Sequence, residues 1–589
     1  MQTPDIASFP TVRAYLEAIA MPWQLRDELS VAELRAHAGY TPIQVQVLAN
    51  RGISSADEIS RWMSADWRAP QVGLPGLQVA LDRIRRAASA GERVVVYGDY
   101  DADGVTSCAL MLLAVRAVGC LAEPVIPQRE EEGRSLSLAA VDDFVARGVT
   151  LVITTDGGTT NAEAVDHAHD RGMDVIVTDH HAPHGSVARA LAVVNPLLAD
   201  EPKAEAALVG VGVALRVAEA LLSESHPALL ASLLDLVAIG TLADIATLTK
   251  ENWALARAGL ARMNEAPRPG IAALIRVSRA LPGEVDEGDV NFRIAPRINA
   301  GGRMGEPDLP LRLLLAEDDA IATQLAARLD ELNQARQRIT EEIVRAANDQ
   351  AELHLGTSAP GLIFTVGEGW PLGVLGLVAG RLVEEHHLPS VCASRDGEVA
   401  RGSIRAPEGY DVIAALGQRP DLFRHFGGHP RAAGFSCALA DLAAVRAHLS
   451  GSLVRVTGDT AAPQREPLAV DCRLPLSRAS LETFARMNAL APFGPGFPPP
   501  LFVCRGARVV GCWASGAEQR SLRLLVHDGG GERSAIWHGK GTLASRMAQE
   551  LASLPKLDIV YSLDAWRTDA SREPRLVARV VTLSVSAQP

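Results

Sequence analysis

The sequence is poor in lysine: four (203, 250, 540 and 556) stand among 57 basic residues, and the other 53 are arginine. Arginine suits bidentate phosphate recognition. A GC-rich genome produces the same bias through codon usage, so the imbalance alone assigns no ligand. Paired cysteines are also lacking. Cys108, Cys120, Cys392, Cys437, Cys472, Cys504 and Cys512 form no C-x-x-C pair, which excludes a zinc or disulfide framework and reads as free thiols in a reducing cytoplasm. No run of 18 apolar residues occurs. The longest candidate, Ala206 to Leu215, stops at Arg216, so no membrane span is expected. The opening MQTPDIASFP has neither a basic start nor an apolar core, and no secretory signal is expected. A net charge of −13 argues against a protein that coats nucleic acid through bulk charge.

What is present is an ordinary globular composition, 48% hydrophobic and 22% charged over 589 residues. At ~150 residues per domain this predicts about four domains. The charge is uneven: residues 461–589 carry 16 basic against 11 acidic side chains, while the remaining 460 residues are net acidic.

Four short apolar runs stand out, at 93–98 (RVVVYG), 149–155 (VTLVITT), 173–178 (MDVIVT) and 191–195 (LAVVN). Helical patterns at about 105–118 and 161–171 lie between the first three, which predicts βαβ units and a parallel sheet covered on both faces. Acidic clusters follow those three runs: GDYDADG (98–104), TDGG (155–158) and TDHH (178–181). Ligands of open α/β sheets bind beyond the carboxyl ends of the strands, so the three clusters converge on one rim. Residues 233–248, LLDLVAIGTLADIATL, form a buried helix-like stretch that adds Asp244.

Residues 308–352 are charged and helical, and a helix of that length reads as a spine between domains. Strand–helix alternation returns over 360–450, with a helix at 373–386 and the Gly-rich FGGHPRAAGFS at 426–436. After the Pro-rich APFGPGFPPP (491–500), several short strands and the basic balance predict a small β-barrel, an OB-fold. The expected divisions are an N-terminal helical segment (1–75), a parallel-sheet α/β domain (76–250), a helical connector (251–355), a smaller α/β domain (356–460) and the barrel (461–589).

The spacing of Asp99, Asp101 and Asp103 suggests an EF-hand loop, but the twelfth position is Leu110 where a bidentate Glu is required, and a β-run precedes the loop. A strand-end metal site is the alternative. Three carboxylates within five residues repel one another unless a cation neutralises them. With Asp156, Asp179, His180, His181 and Asp244 the set reaches six carboxylates and two imidazoles. A single Asp at such a place is a helix cap or turn residue; the whole set in this order reads as a metal centre. Oxygen-rich ligands suit Mn²⁺ or Mg²⁺, in numbers sufficient for two ions, and such a pair clamps the oxygens of a phosphoryl displacement. His386 and His387 follow two glutamates on a helix end and read as a solvated face. His425 and His429 are separated by Gly427 and Gly428, which interrupt any helix that could align them as zinc ligands.

The segments VVVYGDYDADGVTS, TTDGG, VIVTDHHAP and IGTLADIATL resemble the four motifs of the DHH phosphoesterase superfamily. LANRGISSADEISRWM (48–63), APRINAGGRMGEP (295–307), GEGWPLGVLGLVAGRL (367–382), ARGSIRAPEGYDV (400–412), FGGHPRAAGFS and LAPFGPGFPPPLF (490–502) resemble the bacterial RecJ exonuclease family in order along nearly the whole chain. The resemblance implies a DHH catalytic domain at 76–250, a DHHA1 substrate-binding domain at 356–460, and a single-strand-specific 5′ to 3′ DNA exonuclease using two Mn²⁺ or Mg²⁺ ions. It implies that Asp101 ligates one ion and Asp103 the other, that Asp156 bridges both, and that His180 and Asp244 complete the second site. Asp99 joins the cluster through water, His181 faces the scissile phosphate and Asp179 orients an imidazole. Hydrolysis by an activated water then requires no covalent intermediate. Arg129, Arg297, Arg303, Ser403 and Arg405 are implied around a 5′-phosphate, with the loop Gly427-Gly428-His429 closing the cleft. Single-stranded DNA is the implied partner of a cytoplasmic, monomeric enzyme in DNA repair and recombination, with a single-strand-binding protein and a helicase as companions and no membrane.

The sequence departs from the family pattern at three places. Asp156-Gly157-Gly158 replaces D-N-G, Gly133-Arg134-Ser135 stands where G-Y-G is frequent, and Trp370-Pro371-Leu372-Gly373 replaces W-H-P-G. Two other functions fit parts of the pattern: a small-substrate DHH phosphodiesterase acting on oligoribonucleotides or cyclic dinucleotides, and an inactive replication scaffold. The former has no use for a basic C-terminal barrel, which favours the polymer. The latter predicts lost carboxylates, and none is lost at Asp101, Asp103, Asp156 or Asp244.

Overall fold

The apolar runs form one parallel sheet in the computed structural model, which describes residues 6–35, 37, 39–64, 66–68, 73–128, 136–183, 185–199, 208–355, 361–453, 466–568 and 571–586. Its strands lie in the order Leu121–Val125, Arg93–Tyr97, Val149–Thr155, Asp174–Thr178, Ala192–Val194, all parallel. Along Arg93–Tyr97, Val94 and Val96 enter the hydrophobic core on one face while Val95 and Tyr97 enter the core on the other. Both faces are covered, and for that reason the run shows no polar alternation. Leu121–Val125 was not among the expected strands. Its LAEPV sequence carries Glu and Pro, which an edge strand tolerates, and it lies at the sheet's edge.

The chain leaves Arg93–Tyr97 for the strand on one side and returns to Val149–Thr155 on the other. The order therefore reverses between these two strands, and this switch point is where such sheets open a crevice. Asp99, Asp101 and Asp103 follow the first strand and Asp156 follows the second.

The chain divides into two compact units, Asp66–Gly458 and a discontinuous one of Met1–Ala65 with Asp459–Pro589. In the first, the expected spine is shorter than the 308–352 pattern at its start: Asp308–Leu314 is a separate helix, and the long helix Asp319–Leu355 begins after Asp318, whose side chain accepts the Ile321 N–H at 2.9 Å. At 37 residues it is ~55 Å long. Beyond it a five-stranded sheet has the order His425–His429, Ala432–Ala438, Val399–Arg405, Ser390–Asp396, Ile363–Glu368, with only the last pair parallel. Leu372–His386 is the helix between the parallel strands, and the His386 ring lies 3.1 Å from Asn348 Oδ1.

In the second unit a barrel forms from Phe502–Ser515, Ser521–His527, Glu532–Trp537, Ser571–Val585 and Leu557–Thr568, closed by pairing of the first strand with the last. Phe502–Ser515 bends at two bulges, so it serves one neighbour through its first half and another through its second. The N-terminal residues are not helical throughout. Trp23–Leu25 is a strand paired in parallel with Leu468–Val470, and Arg51 makes a buried ion pair with Asp471 at 2.8 Å. These partners lie more than 400 residues away in sequence, so no local pattern announces them.

Candidate active site

The switch point gathers the carboxylates through ordinary local rules. Asp101 caps the helix Ala102–Ala117, its Oδ1 accepting the Gly104 N–H at 3.1 Å. Within the first turn, the buried Asp103 accepts the Gly210 N–H at 2.7 Å and the Val211 N–H at 2.9 Å. These are the first amides of the helix Gly210–Leu222, whose N-terminus favours an anion. Asp99 is buried, with Oδ1 2.6 Å from the Tyr100 N–H. Asp156 adopts a left-handed backbone (φ 61°) at the end of its strand and is 4% exposed.

Gly210 makes this approach possible. A Cβ there would lie 2.7 Å from Asp156 Cβ and 2.8 Å from Asp156 Oδ1.

His180 Nε2 lies 3.0 Å from Asp156 Oδ1 and 3.9 Å from both Asp103 Oδ2 and Asp244 Oδ2. Asp244 terminates the helix Leu234–Ala243. Three groups each bring potential ligand atoms within 4.8 Å of one another: Asp99, Asp101 and Asp156; Asp103, His180 and Asp244; and Asp156, His180 and His181. Asp156 belongs to two of them. Burial, together with the charges of Asp156 and Asp244, pushes the Asp103 carboxyl well above the ordinary carboxylate range. Burial and the charges of Asp101, Asp99, Asp244 and Asp179 do the same to Asp156.

One observation tests whether a cation fits. Asp156 Oδ1 is buried and accepts no hydrogen bond, even with His180 Nε2 3.0 Å away. An orphaned carboxylate oxygen among four other acids is an unmet demand for positive charge. The donor set, five carboxylates and one imidazole, is that of a hard divalent ion.

Asp179 differs from the rest. Burial alone would raise its carboxyl, but the His181 ring, the Thr159 side chain and the His181 N–H hold it well below its usual range. Its Oδ1 accepts the His180 N–H at 2.7 Å and lies 2.8 Å from His181 Nδ1. With Nδ1 engaged, the half-exposed His181 presents Nε2.

Sequence reasoning missed the supporting residues. Asn195 Nδ2 donates to Thr159 Oγ1 and to the His181 carbonyl, each at 3.0 Å. Asn299 Oδ1 accepts the Ala102 N–H at 2.7 Å. Each is a lone polar residue whose partners lie 14 to 197 residues away in sequence, so no local pattern marks it.

The expected phosphate-binding residues separate into groups. Arg129 lies outside the described residues. Arg297 pairs with Asp330 at 2.8 Å and also donates to the Arg293 and Val277 carbonyls, so its guanidinium is committed to packing helices together. Arg303 Nη1 donates to the Gly373 carbonyl at 3.0 Å. Arg405 Nη1 donates to Ser403 Oγ at 2.9 Å. A Cβ on Gly376 would lie 2.6 Å from Arg405 Nη2 and 3.2 Å from Ser403 Oγ, so the missing side chain admits both. Arg303, Ser403 and Arg405 thus meet the first two turns of Leu372–His386. Gly427, Gly428 and His429 belong to a strand, not a loop, and are exposed.

The DHH family N-terminal domain matches residues 93–241, and the RecJ OB domain matches 470–579. The single-stranded-DNA-specific exonuclease RecJ of Bacillus subtilis is 32% identical over 96% of this chain and 71% of its own length. That of Salmonella typhimurium is 34% identical over 86% of this chain and 90% of its own. The crystal structure of Thermus thermophilus RecJ in complex with Mn²⁺ superposes with a TM-score of 0.76 at 28% identity, covering 96% of this chain and 80% of that one. The same protein has been solved with Mg²⁺, with a TM-score of 0.71 at 26% identity. With two curated relatives above 30% identity along most of the chain and both domain families matched, the chain belongs to the RecJ family of single-stranded-DNA-specific exonucleases.

Proposed function

We propose that this chain is a metal-dependent, single-stranded-DNA-specific exonuclease working 5′ to 3′ and releasing mononucleotides. The observation that carries the reading is the gathering of Asp99, Asp101 and Asp156 next to Asp103, His180 and Asp244 at the switch point of the sheet, with His180 Nε2 3.0 Å from Asp156 Oδ1. Asp99, Asp101 and Asp156 would hold one Mn²⁺ or Mg²⁺, and Asp103, His180 and Asp244 the other, with Asp156 reaching both. Such ions supply an acidified water and neutralise the charge of the displacement.

The chain's own residues do the rest. The amides of Gly210 and Val211 hold Asp103 in place. Asp179 fixes the His181 ring through Nδ1, so that Nε2 can hydrogen-bond the scissile phosphate or carry a proton to the leaving oxygen. Arg405, Ser403 and Arg303, gathered at the start of Leu372–His386, suit a terminal phosphate dianion, which supports recognition of the 5′ end.

The RecJ OB match favours a polymer over a dinucleotide, and the intact carboxylates disfavour an inactive scaffold. Seven free cysteines support a reducing, cytoplasmic setting. Single-stranded DNA with a 5′-phosphate is then the partner of a monomer, with a single-strand-binding protein and a helicase as companions.

The test is incubation with Mn²⁺ and 5′-labelled single-stranded DNA, duplex DNA and RNA. The label should appear first as a mononucleotide, and only from the DNA single strand. Equal cutting of duplex, or release of the 5′ label last, refutes the reading.

A further inference from the structure

The helix Leu234–Ala243 ends in a Schellman turn. The Ile245 N–H donates to the Leu242 carbonyl at 3.0 Å and the Ala246 N–H to the Thr241 carbonyl at 3.3 Å. The residue at the left-handed position of this turn is ordinarily glycine. Here it is Ile245, with φ 54°. A β-branched residue is strained in that conformation, and burial does not compensate, because Ile245 is 67% exposed. Strain without local compensation points to use elsewhere.

Ile245 lines a depression of about 230 Å³ together with Leu197, Leu208, Val209, Thr247, His180 and Asp244. That volume is below the ~300–1,000 Å³ of pockets that take whole small molecules, so the space suits one base or sugar. Leu197, Leu208, Val209 and Ile245 give it an aliphatic surface beside the polar His180, Asp244 and Thr247. Such a surface meets the face of a base, which every nucleotide has, and not its edge, which differs among them.

We infer that Ile245, with Leu197, Leu208 and Val209, seats the face of a base on one of the two nucleotides flanking the scissile phosphate. The inference rests on the nuclease reading above. It supplies a sequence-independent contact immediately beside the proposed ligands His180 and Asp244.

The experiment compares wild type, Ile245→Gly and Ile245→Asn on three single strands: intact, with a tetrahydrofuran abasic residue first, and with one second. Both substitutions suit a left-handed backbone, so melting temperature should stay level or rise. Wild type should show a KM at least five-fold higher on one of the abasic strands. Each variant should show that same loss on the intact strand and no further loss on that abasic strand, as expected when the two partners of one contact are removed. A variant that loses equally on all strands, or on none, overturns the inference. Failure of wild type to cut the intact strand would instead refute the nuclease reading.

Discussion

Gly210→Ala adds one methyl group where the structure has no room for it. Its Cβ would stand 2.7 Å from Asp156 Cβ and 2.9 Å from Asp156 Cγ, whereas carbon atoms rest at ~3.5–4.0 Å. Something must therefore give by about 0.8 Å or more. If Asp156 moves, the carboxylate shared by two ligand groups is displaced. If the helix Gly210–Leu222 moves, its first two amides withdraw from Asp103. Either response damages the centre, and a displacement near 1 Å costs ~10²-fold in rate, or ~2.7 kcal/mol. The fold should suffer little. Ala favours a helix over Gly by up to ~1 kcal/mol, which offsets part of the overpacking, and melting should shift by no more than about 4 °C. The assay is kcat/KM on single-stranded DNA across a Mn²⁺ titration, with Mn²⁺ affinity measured separately by calorimetry. Expected are a loss near 100-fold and a weakened Mn²⁺ affinity. Gly157→Ala is the control: it adjoins the same carboxylate, but its Cβ would meet nothing within 4 Å, and it should stay within about three-fold of wild type. A Gly210→Ala enzyme retaining a third of wild-type kcat/KM with unchanged Mn²⁺ affinity would refute the argument.

Asp156→Ala removes the proposed shared ligand, and nuclease activity should vanish with the far-ultraviolet circular dichroism intact; a tenth of wild-type rate surviving in Mn²⁺ would count against two ions at this place. Arg405→Ala should raise KM for 5′-phosphorylated DNA ten-fold or more, ~1.4 kcal/mol, and much less for 5′-hydroxyl DNA, whereas an equal loss on both removes Arg405 from the 5′-phosphate site. Deleting residues 1–65 together with 459–589 should weaken binding to long single strands and flatten its salt dependence while very short oligonucleotides are still cut. Deleting 461–589 alone is a poorer test, since it strips Trp23–Leu25 of its paired strand and Arg51 of Asp471.

The parallel sheet was legible because both its faces are buried: the run expected at 149–155 is the strand Val149–Thr155, and that expected at 191–195 is Ala192–Val194. The helix expected at 105–118 starts at Ala102, because Asp101 is both a candidate ligand and the cap. Sequence lost Leu121–Val125, where Glu and Pro mask an edge strand, and Trp23–Leu25, whose partner is remote. Among site residues, the acids could be read because their spacing repeats after each strand. The amides of Gly210 and Val211 could not: in sequence they belong to an apolar run, and their function depends on which carboxylate the helix end meets. The arginines show the same limit. Nothing local separates Arg297, which is spent on Asp330, from Arg303, six residues on along the same helix, which reaches Gly373.

Several local costs are concentrated at one place. Asp103 and Asp156 are buried acids within reach of other acids. Asp244 sits at the carboxyl end of a helix, where the macrodipole disfavours negative charge. Of the six non-glycine residues with positive φ among those described, two are Asp156 and Ile245. Each cost alone would be selected against in a site kept only for stability. They share a remedy only in part. Divalent cations would answer the buried charge and the helix end together, since both are deficits of positive potential at neighbouring oxygens. They would do nothing for the backbone at Ile245, which carries no charge and coordinates nothing. That strain needs a second beneficiary, and a base seated in the depression that Ile245 lines with His180 and Asp244 would be one.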